Sequence, residues 1–228
     1  MSAASIDIHV IDMDGAAIDL SRLSALLDDE EAERAERFRF DRDRRRFIAR
    51  RGILRELLSQ SLGRPAALIR FGRNAFGKPF AMETDLRFNV SHSCNIVLIA
   101  MTHERELGCD IEMRDPRFAF ERIPERFFSP AETSALRGLR PTQQIEAFFN
   151  CWTRKEAFIK ARGCGFALPL DSFDVSLAVD EPAALLRGCD GWSVKSFEPV
   201  PGFQAAIVAE ATDWRLNLRT DGASYGCS

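Results

Sequence analysis

The sequence predicts an α+β protein made of two halves that meet near residue 105. Three observations lead there. Two long segments, 44–62 and 142–162, place apolar residues at helical spacing and stop at glycines. Short apolar or alternating runs on either side of these segments read as strands. The order strand, two helices, strands occurs twice, dividing the chain into an N-terminal half (1–105) and a C-terminal half (106–228) with no low-complexity linker between them.

The elements follow in order. Ile6 to Ile11 alternates apolar with polar residues and opens the chain as a strand. Ser21 to Glu36 reads as one helix, with Ser21 as N-cap and Leu23, Leu26 and Leu27 on one face. From Arg44 to Leu62 a helix buries Phe47, Ile48, Ile53, Leu54, Leu57, Leu58 and Leu62 on one side. Arginines fall between them and give it a cationic face, and Gly63, Arg64 and Pro65 end it. Strands are expected near 68–71, 86–91, 95–102 and 107–113, with RNAFGKPF (73–80) as a loop. Ser129-Pro130-Ala131-Glu132 starts a helix by a capping box, and 142–162 ends before Gly163 and Gly165. Strands near 173–179, 192–197 and 203–210 follow.

The totals narrow the function classes. The net charge of −3 over 228 residues argues against a dedicated nucleic-acid binder. Ten arginines between Arg34 and Arg55, against three acids, instead make a local basic surface suited to a small anionic ligand. Six cysteines without CxxC pairs, no signal peptide and no apolar run of membrane length point to a reduced, cytoplasmic protein.

Three segments carry chemistry. In Gly108-Cys109-Asp110-Ile111-Glu112, strand alternation puts Asp110 and Glu112 on one face, where a cation such as magnesium relieves their repulsion. In Trp152-Thr153-Arg154-Lys155-Glu156-Ala157-Phe158-Ile159-Lys160, helical spacing puts Glu156 and Lys160 side by side, facing one site or forming a surface ion pair. Phe88-Asn89-Val90-Ser91-His92-Ser93 ends a strand with two hydroxyls and an imidazole. Ser91 and His92 point to opposite faces, which disfavours a serine hydrolase. A magnesium-dependent phosphodiesterase or nuclease and a non-catalytic binder of an anionic ligand or nucleic acid both remain compatible with such segments.

Taken in order, with Gly77-Lys78-Pro79 upstream, Arg126-Phe127-Phe128-Ser129 between and Leu168-Pro169-Leu170-Asp171-Ser172-Phe173 downstream, the set resembles the surfactin-synthetase-activating (Sfp-type) phosphopantetheinyl transferases. The resemblance implies two similar halves related by a pseudo-twofold, with coenzyme A in the cleft between them. It implies that Asp110, Glu112 and Glu156 hold Mg²⁺ on the diphosphate, and that Lys160 stabilises departing charge. Glu156 or a water held by these acids would be the base. Ser91, His92, Lys78 and Lys155 would contact the ligand, and Arg34, Arg46 and Arg50 would face its 3′-phosphate or adenine. The partner would be an acyl or peptidyl carrier protein, docked near Phe118, Phe120, Phe127 and Phe128 unless these are core, and the enzyme a monomer releasing 3′,5′-ADP.

Overall fold

A computed structural model describes residues 4–15, 18–103, 105–119 and 123–219. Strand β1 (Ala4–Asp12) leads to helices α1 (Leu20–Ser24), α2 (Asp29–Glu36) and α3 (Asp41–Leu62). A small hairpin, β2 (Phe71–Arg73) and β3 (Pro79–Ala81), precedes a long one, β4 (Leu86–Ser93) and β5 (Ile96–His103). Then come β6 (Leu107–Met113), α4 (Pro116–Ala119), α5 (Ile123–Phe127), α6 (Pro130–Gly138) and α7 (Pro141–Arg162). The short strands β7 (Asp174–Val175) and β8 (Leu185–Arg187), the hairpin β9 (Trp192–Phe197) and β10 (Phe203–Glu210), and β11 (Trp214–Arg219) follow.

One topology is used twice. A first strand (β1 or β6) leads to a long helix (α3 or α7) and then to an antiparallel hairpin. The hairpin's second strand, β5 or β10, lies antiparallel to the first strand. Strand alternation then divides each sheet's faces. Ile6, Ile8, Val10, Ile96, Leu98 and Ala100 of one sheet pack on Cys109, Ile111, Ala205 and Ile207 of the other. The opposite faces receive α3 and α7. The result is four layers, helix, sheet, sheet, helix, which explains why β5 and β10 are apolar along almost their whole length.

Several expectations change. β11 lies parallel to β1, with Ala4 opposite Trp214 and His9 opposite Arg219, so part of the 106–228 half completes the sheet of the other half. The segment Ser21–Glu36 is two helices rather than one. Asp19, not Ser21, caps α1, and Asp28 ends the run by forming a capping box with Glu31 at the start of α2. RNAFGKPF is the turn of a hairpin: Asn74 Oδ1 accepts from the amides of Phe76 and Lys78, and Gly77 takes φ +88°. Pro79 is tolerated because β3 pairs on one side only. Among the described helices none is long and apolar enough to cross a membrane.

The cationic face of α3 is also more internal than its spacing predicts. Arg55 is fully buried. It bonds the carbonyls of Ala66 and Ile69 at 2.9 and 3.0 Å, Glu31 at 2.6 Å, and Asp28. Arg51 also bonds Glu31. Two of the helix's arginines are therefore structural.

Candidate active site

The site lies where β4, the edge strand of one sheet, runs along β6, the edge strand of the other. Side chains join these edges. Asn89 Oδ1 accepts from the Cys109 amide at 2.9 Å, Ser91 Oγ donates to Asp110 Oδ1 at 2.8 Å, and Ser93 Oγ donates to Glu112 Oε2 at 2.8 Å. Asn89, Ser91 and Ser93 alternate along β4 and therefore share one face, as strand geometry requires. The F-N-V-S-H-S segment is a polar seam between the two sheets.

Helix α7 covers the same seam. It lies directly on β6 because residue 108 is glycine: a Cβ there would meet Ala157 O and Ala161 N at 2.2 Å. Gly108, Asp110 and Glu112 alternate on the face turned to this helix, while Cys109 and Ile111 are core. On α7 itself, Trp152, Glu156 and Lys160 form the less buried stripe at i, i+4, i+8. Lys160 does not pair with Glu156 along the helix. Its amine reaches across to Asp110 Oδ1 at 2.5 Å and to Ser91 Oγ at 3.0 Å.

The electrostatics follow from that crowding. Burial first, then the charge of Asp110, pushes Glu112 and Glu156 up to about 7. Burial disfavours the charge of Lys160, but the charge and hydrogen bond of Asp110 more than offset this and hold the amine above its usual range. Asp110 is 2% exposed and its Oδ2 has no hydrogen-bond partner. A buried carboxylate oxygen without a donor, beside two further carboxyls that resist ionisation, fits a hard divalent cation such as Mg²⁺. Among the described residues no three His, Cys, Asp or Glu side chains stand ready to hold a metal ion, and Lys160 occupies one oxygen of Asp110.

The first half contributes a cavity of roughly 260 Å³ lined by Arg34, Phe47, Arg50, Arg73, Pro79 and Val90, among others. The guanidinium carbons of Arg34 and Arg50 lie 5.3 and 5.9 Å from the centre of the Phe47 ring. Among the described residues neither arginine pairs with a carboxylate, although most of their neighbours on α2 and α3 do. Burial and the like charges of Arg51 and Arg34 lower Arg50 to about 10, which leaves it charged at neutral pH. His92 has exposed surface, yet desolvation by its surroundings and the charges of Arg50, Lys160 and Arg46 lower it to about 4.

Not every expected ligand contact has this geometry. Lys155 is fully buried. Its amine bonds Leu170 O and Phe173 O at 2.6 Å and Glu132 at 2.8 Å, so no donor is left for a phosphate. Five residues from Lys160, it points about 140° around the helix. Lys78 donates to Glu106, Leu107 O and Ala161 O, which uses all three of its N–H groups. Ser91 is buried against Asp110 and Lys160. Arg46 is held by Asp14 and by Cys94 O, outside the arginine cavity. Phe128 is core beside Phe148, and Phe127 packs edge-on against Trp152. Phe120 and the Phe118 side chain lie outside the described residues. Phe47 was missed as a cavity residue because helical spacing marks it only as apolar.

Comparison with known proteins identifies the family. Residues 106–208 match the family described as "4'-phosphopantetheinyl transferase superfamily", and residues 16–104 match "4'-phosphopantetheinyl transferase, N-terminal". The 4'-phosphopantetheinyl transferase HetI of Nostoc is 36% identical over 221 residues, covering 94% of this chain and 92% of its own. The 4'-phosphopantetheinyl transferase Sfp of Bacillus subtilis is 33% identical over 197 residues, covering 85% and 86%. Among solved structures, a holo-(acyl-carrier-protein) synthase from Bacillus anthracis aligns with 47% of this chain and 96% of its own, at 20% identity and a TM-score of 0.41. Matched across both halves by family and by relatives of nearly its own length, the chain belongs to the 4'-phosphopantetheinyl transferase superfamily.

Proposed function

We propose that this chain transfers the 4′-phosphopantetheine group of coenzyme A to a serine of an acyl or peptidyl carrier protein in a Mg²⁺-dependent reaction that releases 3′,5′-ADP. The observation that carries the reading is a pairing of opposites on one surface. Arg34 and Arg50, which pair with no carboxylate among the described residues, line a cavity on the first half, a carboxylate cluster surrounds Asp110 on the second, and His92 feels the charges of both Arg50 and Lys160. A nucleotide diphosphate needs both: cations for its terminal phosphate and a metal site for its diphosphate.

In this reading Arg34 and Arg50 bind the nucleotide end over Phe47, where forked guanidinium donors suit a phosphate. His92 is neutral before the ligand binds and gains a proton beside the incoming anion. Asp110, Glu112 and Glu156 would hold the cation, which would supply charge neutralisation and orientation of the diphosphate when bound. Lys160, fixed by Asp110 and Ser91, faces the charge that develops on the departing nucleotide. Glu156, near 7 in the free protein, takes the proton of the attacking serine directly or through a water. The serine oxygen forms the new bond to the β-phosphorus as the bond to the bridging oxygen breaks.

Both halves of the site lie in one chain, so a monomer suffices, and a cytoplasmic setting suits the free thiols of Cys94, Cys109, Cys151, Cys164 and Cys189. The test is intact-mass analysis of a purified apo carrier protein incubated with this chain, coenzyme A and Mg²⁺, with an EDTA control. A gain of about 340 Da that appears only with metal supports the reading. No gain across fatty-acid, polyketide and nonribosomal-peptide carriers overturns it.

A further inference from the structure

Lys78 and Asn74 form a polar clamp at the C-terminal end of α7. Both come from the turn of the β2–β3 hairpin, in the first half of the chain. Lys78 Nζ lies 3.0 Å from Ala161 O in the last turn of α7, 3.0 Å from Leu107 O at the start of β6, and 2.7 Å from Glu106 Oε2. Asn74 Nδ2 donates to Gly163 O, the helix's left-handed C-cap, at 2.7 Å. The carbonyls at a helix C-terminus have no partner within the helix, and a cation there also meets the negative end of its dipole. There is little slack: a Cβ on Gly163 would stand 2.9 Å from Asn74 Nδ2 and 3.0 Å from Lys78 Cδ.

The two elements joined by Lys78 are those that bear the acid cluster. Ala161 follows Lys160 directly, and Leu107 lies three residues before Asp110. Gly108 fixes how closely α7 approaches β6, but a contact of bare backbones supplies no directional bond. Lys78 adds one at this end by bonding a carbonyl on each. We propose that Lys78 and Asn74 are positioning residues for the transfer reaction: they set the register of α7 on β6, and thereby the approach of Lys160 and Glu156 to Asp110, without touching coenzyme A. This rests on the reading of the site given above.

The variants K78M and N74A test it. K78M is expected to fold, because Glu106 keeps its hydrogen bond from Arg87 and is itself partly exposed. Three readouts separate the possibilities. In the transfer assay kcat falls about 10- to 100-fold, while coenzyme A affinity by calorimetry changes less than about threefold. The double variant is no worse than K78M alone, since the two act as one unit, and K78R restores part of kcat. Hydrogen exchange at residues 159–163 accelerates while that of α3 does not. Weaker coenzyme A binding with intact kcat overturns the proposal in favour of direct contact. A lower melting temperature with unchanged kcat overturns it in favour of a merely structural role. Unchanged exchange at 159–163 overturns it even if the wild-type chain transfers nothing, an outcome that by itself defeats only the assigned reaction.

Discussion

Helices α3 and α7 are the same device set to different tasks. Each has 22 residues and ends at a left-handed glycine, Gly63 or Gly163. Each carries one fully buried cation eight residues before that glycine, Arg55 or Lys155. Each cation bonds two main-chain carbonyls three residues apart beyond the helix, Ala66 and Ile69 or Leu170 and Phe173. Each also bonds the glutamate of a capping box on the preceding helix, Glu31 of α2 or Glu132 of α6. The scaffold is thus repeated to the level of individual hydrogen bonds. The outward stripes differ. On α7 it presents Glu156 and Lys160 to the carboxylates of β6. Seven and three residues before Gly63, the places that Glu156 and Lys160 hold before Gly163, α3 instead has Glu56, bonded to Arg22 of α1, and the exposed Gln60. In the proposed reaction, chemistry resides on one copy and nucleotide binding on the other.

Breaking the active copy should have the largest effect. Glu156→Ala is expected to abolish transfer while leaving the fold intact, and near-normal activity would sink its assignment to metal and base. Lys160→Ala should lower turnover about 10²- to 10³-fold with a smaller change in coenzyme A affinity, as for loss of a group that stabilises developing charge. Steady-state kinetics with an apo carrier protein checks both.

The repeated scaffold offers the next contrast. Lys155→Met leaves Glu132, 3% exposed, as an uncompensated buried charge, and should cost about 3–5 kcal/mol of stability. Arg55→Met should cost less, because Glu31 keeps Arg51 and Asp28 reaches solvent. Equal losses in urea denaturation would show that the extra arginine on α3 has no buffering role.

The binding copy should respond in affinity. Arg50→Ala is expected to weaken coenzyme A by about tenfold or more with turnover preserved, in line with loss of a charge-assisted hydrogen bond. The loss should shrink for coenzyme A lacking its 3′-phosphate; calorimetry with both ligands decides it.

The remaining contrast is in pH-dependent stability. Burial and Asp110 raise Glu112 and Glu156 to about 7, so the folded chain holds protons that the unfolded chain releases near 4.3. In EDTA, stability should therefore fall as pH rises from about 4.5 to 7 and level off above. Urea midpoints across that range check the sign, and Mg²⁺ should raise the midpoint at pH 8 but not at pH 5.

Much of this was legible in the residues. The two long helices announce themselves by apolar spacing and terminal glycines, and the alternation of Asp110 with Glu112 places both acids on one face. What was hidden is of two kinds. Lys155 and Lys160 look alike in sequence, and only the packing of α6 and residues 168–175 against one face of α7 makes one a core staple and the other a site residue. The clamp of Asn74 and Lys78 was hidden because its hydrogen bonds run to residues 28 to 89 positions away. By contrast, β11 was missed although its pattern could have found it: Trp214, Leu216 and Leu218 alternate with Arg215, Asn217 and Arg219.

The pairing of β11 with β1 bears on biosynthesis. Asp7 and Asn217 are hydrogen-bonded across 210 residues of sequence. At about 5–20 residues per second, β1 waits roughly 10 to 40 s after translation before its outer neighbour exists. Through that interval a nascent chain carries an open strand edge, the kind of surface that recruits chaperones or neighbouring chains. The first half can gather its core around α3 as it emerges, but its sheet is sealed only when the second half has been made.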